Sequence, residues 1–249
     1  MENLKLVKDN DTWTLPENAW IGDLPFSVRG NFPDRACQHG AVNTGDGMID
    51  SRKVEITVYV DAETGPRYFA ALDFIKQKMY RRNMKLYISE SRYINLDALD
   101  SFSEENITGF MNRRCFVKAT YVCTDPFWYS AQEAVITAAI TDSPQTVTIR
   151  NDGNVETPLI VTVTADSEPV PEIKIANETT GRTMYYKDPQ MAVGSSVVID
   201  AVAGSVLRNG VNSINAFRGM FPTIMPGNNV LSFEGADCAL GITYRPRWL

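Results

Sequence analysis

The residues that could do chemistry are few. His39 is the only histidine, and it stands two residues from Cys37, the spacing at which two side chains share one face of a strand. A thiol beside an imidazole is the pairing of a nucleophile and its general base. The competing description is a short loop, Cys37-Gln38-His39-Gly40, fixed by hydrogen bonding, and the Gly that follows favours it. With a single histidine, a Ser-His-Asp arrangement has no base unless His39 serves. The adjacent acids Glu104 and Glu105 invite comparison with a glycosidase carboxylate, but neighbours on a strand or helix point apart. The segment from Asp46 to Asp50 lacks the ligand number and spacing of an EF-hand, and Gly-rich phosphate loops are absent. No catalytic, cofactor-binding or metal-ligating residue is assigned, and enzymatic activity is not expected.

Charge narrows the partners. Lys and Arg number 24 against 30 Asp and Glu, giving a formal charge of −6 and a pI near 4.9. The densest basic clusters are the pairs Arg81-Arg82 and Arg113-Arg114, which argues against a tight, sequence-specific nucleic-acid interface. No apolar run approaches the roughly 20 residues of a membrane span, so membrane insertion is not expected. Residues 1–8 lack the basic segment, apolar core and cleavage site of a secretory leader. Cys37, Cys115, Cys123 and Cys238 form no C-x-x-C pair, and they are expected to be reduced thiols of a protein made in the cytoplasm.

The elements that would position these residues are mainly β. Residues 1–50 scatter Trp13, Pro16, Trp20, Pro25, Phe26 and Pro33 among Asp, Asn and Gly, which predicts extended chain and short strands pinned by aromatics. Val54, Ile56, Val58 and Val60 alternate with polar residues and predict a half-buried strand. Tyr68, Leu72, Ile75 and Met79 recur at helical spacing, predicting a helix over 68–82 with Pro66 at its first turn. Strands over 86–89, 93–96 and 108–121 should form the antiparallel sheet beneath it, with Cys115 and Cys123 on one face. After the aromatic run Phe127-Trp128-Tyr129 the helical period does not return. Strands are predicted over 134–140, 146–150, 159–165, 172–176, 183–186 and 197–201, with turns at Asn151 to Asn154, Thr180-Gly181, Val193-Gly194 and Asn209-Gly210. A β-sandwich or jelly roll of roughly 120 residues follows from that rhythm. At the C-terminus, residues 230–234 and 238–245 are predicted to pair as a hairpin. Pro246 should end the pairing, leaving Arg245, Arg247 and Trp248 as a short exposed tail. Trp13, Trp20, Phe127, Trp128, Tyr129 and Trp248 lie in irregular segments or at domain edges, where an aromatic serves either as an interface anchor or as a cap on a small core.

The order of several motifs resembles the phage distal tail protein family of long-tailed, non-contractile phages. The matching features are Asn151-x-Gly153 followed by Thr157-Pro158-Leu159-Ile160-Val161-Thr162-Val163, then Ile175-x-Asn177-x-x-Thr180-Gly181, then Val197-Val198-Ile199-Asp200. Pro226-Gly227-Asn228-Asn229-Val230 and Ile242-x-Tyr244-Arg245-Pro246-Arg247 close the match. His39-Gly40, the strand near Val54 and the helix-then-strands order extend it to the first half. Each motif alone is turn and strand chemistry; their order carries the weight.

The resemblance implies an α+β N-terminal belt domain over residues 1–130, which assembles into a ring, and a galectin-like β-sandwich over 131–249. It implies a structural virion protein at the distal end of a phage tail. There a homohexameric ring would join the tail tube protein to a tail-tip or tail-associated hub protein, with the tape measure protein and receptor-binding proteins as further partners. An acidic ring would also let DNA pass without sticking. Two other classes compete. A carbohydrate-binding module would need an aromatic platform, and Tyr185-Tyr186 is the only candidate between residues 131 and 230. A cell-wall hydrolase would need a carboxylate pair or metal cluster, and no such group stands out.

Overall fold

The structure, a computed structural model, describes residues 4–110 and 113–249. Part of the strand predicted over 108–121, residues 111 and 112, lies outside the described residues, as do residues 1–3 of the segment read for a leader. The chain divides into two compact units, one of residues 1–131 with Leu249 and one of residues 132–248.

The first unit begins with β1 (Lys5–Lys8), β2 (Asp11–Thr14) and β3 (Ala19–Ile21). Asp9, at φ 53°, and Asn10 form a two-residue turn, so that Lys8 lies opposite Asp11. Such turns favour Asn and Asp because both tolerate positive φ. β4 (Arg52–Asp61) follows, and it buries Val54, Ile56, Val58 and Val60, the four positions whose alternation marked it. The helix α1 (Gly65–Met79) buries Tyr68, Leu72, Ile75 and Met79, the stripe read from its spacing. It starts and stops three residues earlier than 68–82. Pro66 sits in its first turn, Tyr80 leaves helical geometry, and Asn83 at φ 54° turns the chain toward the next strand.

β5 (Met84–Ser89), β6 (Arg92–Leu96), β7 (Ala98–Asn106), β8 (Arg114–Cys123) and β9 (Trp128–Ser130) complete the unit. One antiparallel sheet runs β2-β1-β5-β6-β9 and a second β3-β4-β8-β7. α1 is tied to the second sheet by Tyr121, whose buried hydroxyl donates to the Met79 carbonyl at 2.7 Å, and by Tyr68, whose hydroxyl donates to Asn106 Oδ1 at 3.0 Å. At its C-terminal end Lys78 and Arg81 both reach Asp11 at the start of β2, at 2.8 and 2.5 Å. Hydrogen bonds from Lys78 and Arg81 hold the Asp11 carboxyl below the ordinary carboxylate range. Cys115 and Cys123 both point inward from β8.

The second unit contains β10 (Ala134–Ile140), β11 (Gln145–Asn151), β12 (Thr157–Pro158), β13 (Ile160–Thr164), β14 (Glu172–Asn177), β15 (Arg182–Lys187), β16 (Ser196–Asp200), β17 (Ser205–Arg208), β18 (Val211–Asn212), β19 (Phe217–Gly219), β20 (Thr223–Ile224), β21 (Gly227–Gly235), β22 (Cys238–Tyr244) and β23 (Arg247–Trp248). Its two main sheets are antiparallel, in the orders β10-β22-β13-β16-β17-β18 and β11-β21-β14-β15-β19, with β12 and β20 paired separately. Inward residues of both sheets, among them Val161, Ile199 and Ile242 of one and Ile149, Ile173 and Phe233 of the other, form a single buried cluster. That is the construction of a β-sandwich.

Two expectations fail at the C-terminus. β21 and β22 are not a hairpin, because β21 lies between β11 and β14 while β22 lies between β10 and β13 in the opposite sheet. Alternation records which side of a strand is buried, and in a sandwich both sheets bury the side facing the partner sheet. Nor are the last residues an exposed tail. Pro246 is buried, and Arg245, Arg247 and Trp248 are half-buried. The Arg247 carbonyl accepts a hydrogen bond from Asn154 N at 3.2 Å, and its Nε donates to the Glu156 carbonyl at 2.6 Å.

Candidate functional site

The residues weighed for catalysis do not converge. Cys37 and His39 lie on a turn rather than a strand, both exposed, with Cys37 at φ 57°. Glu104 and Glu105 point apart, one to Lys76 of α1 at 2.6 Å and the other to Lys118 of β8 at 2.7 Å. Asp46 and Asp50 spend their carboxylates on the backbone, accepting from Met48 N at 2.9 Å and Ser51 N at 2.8 Å. Among the described residues no cluster of His, Cys, Asp or Glu could hold a metal ion, and no helix is long and apolar enough to cross a membrane.

All four cysteines are free; Cys37 is exposed and the others are buried. Burial pushes the Cys123 thiol up to about 12 and the Cys238 thiol up to about 11, and raises Cys115 as well. A thiolate is the reacting species. A maleimide or iodoacetamide at pH 8 should therefore modify one thiol per folded chain, at Cys37, and all four after denaturation. Mass spectrometry of the labelled chain checks this, and rapid native labelling of Cys123 would contradict the packing of β8.

The surfaces that could do work are edges and exposed aromatics. β7 is an outer strand of its sheet, paired among the described residues with β8 alone and carrying Glu104 and Glu105 on a largely exposed stretch. An unpaired edge offers backbone donors and acceptors to another chain. The aromatics divide. Trp128 is buried, whereas Trp13 packs edge-on against Phe74 and Trp20, 45% exposed, edge-on against Phe116. Tyr129 stacks on Tyr93, and Phe127 is half-buried.

Of the stretch read as extended chain and short strands pinned by aromatics, residues 5–21 carry β1 to β3, but the part after them is an arm. Ser27 to Asp50 folds back on itself through bonds such as Asp50 N to Ser27 O, Arg29 N to Met48 O and Thr44 N to Asn31 O, at 2.7–2.8 Å. No residue between 21 and 52 is buried. Phe26, Val28, Phe32, Val42 and Met48 stand exposed along it. At its root Phe26 faces the guanidinium of Arg52, a buried residue whose Nε and Nη2 have no hydrogen-bond partner among the described residues. Burial lowers the pKa of Arg52.

In the second unit the motif residues form a buried clasp around β12 and β20. Asn151 Nδ2 donates to the Val155 carbonyl at 3.0 Å and Thr157 Oγ1 at 3.2 Å, while its Oδ1 accepts from Gly153 N. Asn177 Nδ2 donates to the Thr223 carbonyl at 2.9 Å, and Asn229 closes the loop before β21 by donating to Met225 O at 2.7 Å and accepting from Met225 N at 3.0 Å. Arg182 adds an ion pair to Glu156. Asn–Gly spacing marks these positions as turns, but their meeting is visible only once β11, β14 and β21 lie side by side. Tyr186 is not a sugar platform. It is fully buried, its hydroxyl within 3.0 Å of Asp188 and 2.9 Å of Ser213, and of the pair only Tyr185 is exposed.

Comparison with known proteins fits this architecture. Residues 152–248 match the family described as Siphovirus-type tail component, C-terminal domain. The match lies within the second unit, which resembles that domain in sequence. Over its whole length the chain has the fold of a distal tail protein: it superposes on the crystal structure of the Dit protein (gp 19.1) of phage SPP1 with a TM-score of 0.74 at 14% identity, covering 99% of each chain. That protein is described as a paradigm of the hub adsorption apparatus in phages infecting Gram-positive hosts. A chain of the phage P2 baseplate, in its activated conformation with Ca, matches at a TM-score of 0.48 and 12% identity, over 98% of this chain and 97% of that one. No curated protein matches the sequence.

Proposed function

We propose that this chain assembles into a homohexameric ring at the distal end of a phage tail, where it joins the tail tube to the tail tip or baseplate and serves as the assembly hub. In this reading residues 1–130 are the ring-forming belt and 131–249 a galectin-like sandwich. The observation that carries it is the end-to-end likeness to the SPP1 protein, together with the tail-component match of the second unit. The tail tube protein, a tail-associated hub protein, the tape measure protein and receptor-binding proteins are the partners this position supplies.

A ring needs a heterologous interface that closes on itself. The belt surface between residues 54 and 121 includes the open edge of β7, which suits pairing between neighbours. Light scattering of the purified full-length chain, across protein and salt concentrations, tests the proposal. A stable species near six times the 27.8 kDa protomer, seen as rings by negative-stain microscopy, is the expected result. A strict monomer at every concentration would count against self-assembly.

A further inference from the structure

The arm of residues 27–50 and a groove elsewhere on the same unit have matching character. Phe32 is 64% and Met48 60% exposed, and Phe26, Val28 and Val42 are each more than 40% exposed. With aromatic side chains contributing roughly 150–250 Å² each, the five together offer apolar surface on the order of 500 Å², a patch large enough to mark an interaction site. Two limbs of about 12 residues at ~3.3 Å per residue give a reach of roughly 35–40 Å. The limbs bond to each other at several backbone positions, while apolar side chains of the arm stay exposed.

The groove lies between β2, β4 and α1. It has a volume of about 360 Å³ and is lined by Trp13, Pro16, Tyr59, Ala71, Phe74 and Ile75 among others. Phe74 is 46% exposed, and Phe69 on the same helix 53%. The groove is open and its surface is mostly apolar, with Asn18 and Asp61 among its polar lining residues.

We propose that the arm docks Phe32 and Met48 into the β2–α1 groove of a second copy of this chain. The proposal rests on the ring reading above and gives it a specific contact. A stable interface needs about 800 Å² per partner, and the arm alone supplies more than half of that. Donor and acceptor are different surfaces, so each docked pair leaves one free arm and one free groove. That is the heterologous arrangement from which a closed ring is built.

The test uses the full-length chain with two kinds of change. The arm variant carries Phe32→Ser and Met48→Ser, and the groove variant Phe74→Ser, with Ala71→Arg as an independent second. All these positions lie outside the buried core, so the circular dichroism of each variant should match the parent; Phe74→Ser also loses its edge-on contact with Trp13 and should melt slightly lower, which makes Ala71→Arg the cleaner groove variant. Light scattering should show the parent as an oligomer and each variant alone as a 27.8 kDa monomer. An equimolar mixture of arm and groove variants retains one good arm and one good groove, so it should give dimers and stop there. If the variants assemble like the parent, the arm contact is wrong and the ring reading stands. If both variants are monomeric but their mixture stays monomeric, arm and groove do not bind each other. A parent chain that is itself monomeric overturns both this contact and the ring.

Discussion

Phe233→Ala will destabilise the second unit by about 3–5 kcal/mol, the range for removing a fully buried phenylalanine. Phe233 is 1% exposed on β21, opposite Gln145 on one side and Ile175 on the other, and it points into the cluster that both sheets share. Its ring also lies against Gly235, where a Cβ would approach it to 3.0 Å, so the backbone is drawn in close and has little slack to collapse into the cavity. Phe32→Ala removes the same side chain from an exposed site on the arm and should change stability by no more than about 0.5 kcal/mol. Urea unfolding of both variants, followed by far-UV circular dichroism of the whole chain, makes the comparison. Equal losses would mean that burial at β21 is not what holds the sandwich.

Gly153→Ala will cost about 3 kcal/mol, more than a methyl group normally does. A Cβ at this position would stand 2.3 Å from the Arg247 carbonyl oxygen and 2.8 Å from its nitrogen. Both are backbone atoms and cannot rotate away. Relief would require the chain after Pro246 to move, breaking the bonds from Asn154 N to Arg247 O and from Arg247 Nε to the Glu156 carbonyl. Gly181→Ala is the control: φ there is 70° with open space around it, so its cost is the left-handed backbone alone, about 1 kcal/mol. Melting should rank Gly153→Ala well below Gly181→Ala, and a reversed order would show that the chain end is free to shift.

What the sequence disclosed, and what it hid, follows from which interactions are local. The stripe Tyr68, Leu72, Ile75, Met79 and the alternation from Val54 to Val60 repeat at the period of their own element, so burial could be read without knowing the partner. β7 escaped because it is an exposed edge strand, Ala98-Leu99-Asp100-Ser101-Phe102-Ser103-Glu104-Glu105-Asn106, in which no alternation survives. β12, β17, β18, β19 and β20 are two to four residues long, too short to show a period. The hairpin error at β21 and β22 has a related cause: two consecutive alternating strands look alike whether they pair or face each other across a core. Among candidate functional features, the turns at Asn151, Asn177 and Asn229 were visible as chemistry, but their clasp depends on residues up to 73 positions apart, as in the bond from Asn151 Nδ2 to the Ile224 carbonyl. The arm was hidden because Phe26 and Phe32 have the composition of core residues and only tertiary structure shows that both stay largely exposed.

The crossing of β21 and β22 between sheets bears on how the chain is made. β21 holds β11 to β14 and β22 holds β10 to β13, so each sheet is joined across its middle by one of the two latest long strands of this unit. Ala134 finds Tyr244 and Gln145 finds Phe233 as partners. Pairings so distant in sequence fold slowly, because loop closure precedes any gain from contact. During synthesis the earlier strands of this unit wait with open edges, while β1 to β9 and α1 have already been made. The strands β1 to β9 therefore precede the sandwich, which closes only once β21 and β22 have been made.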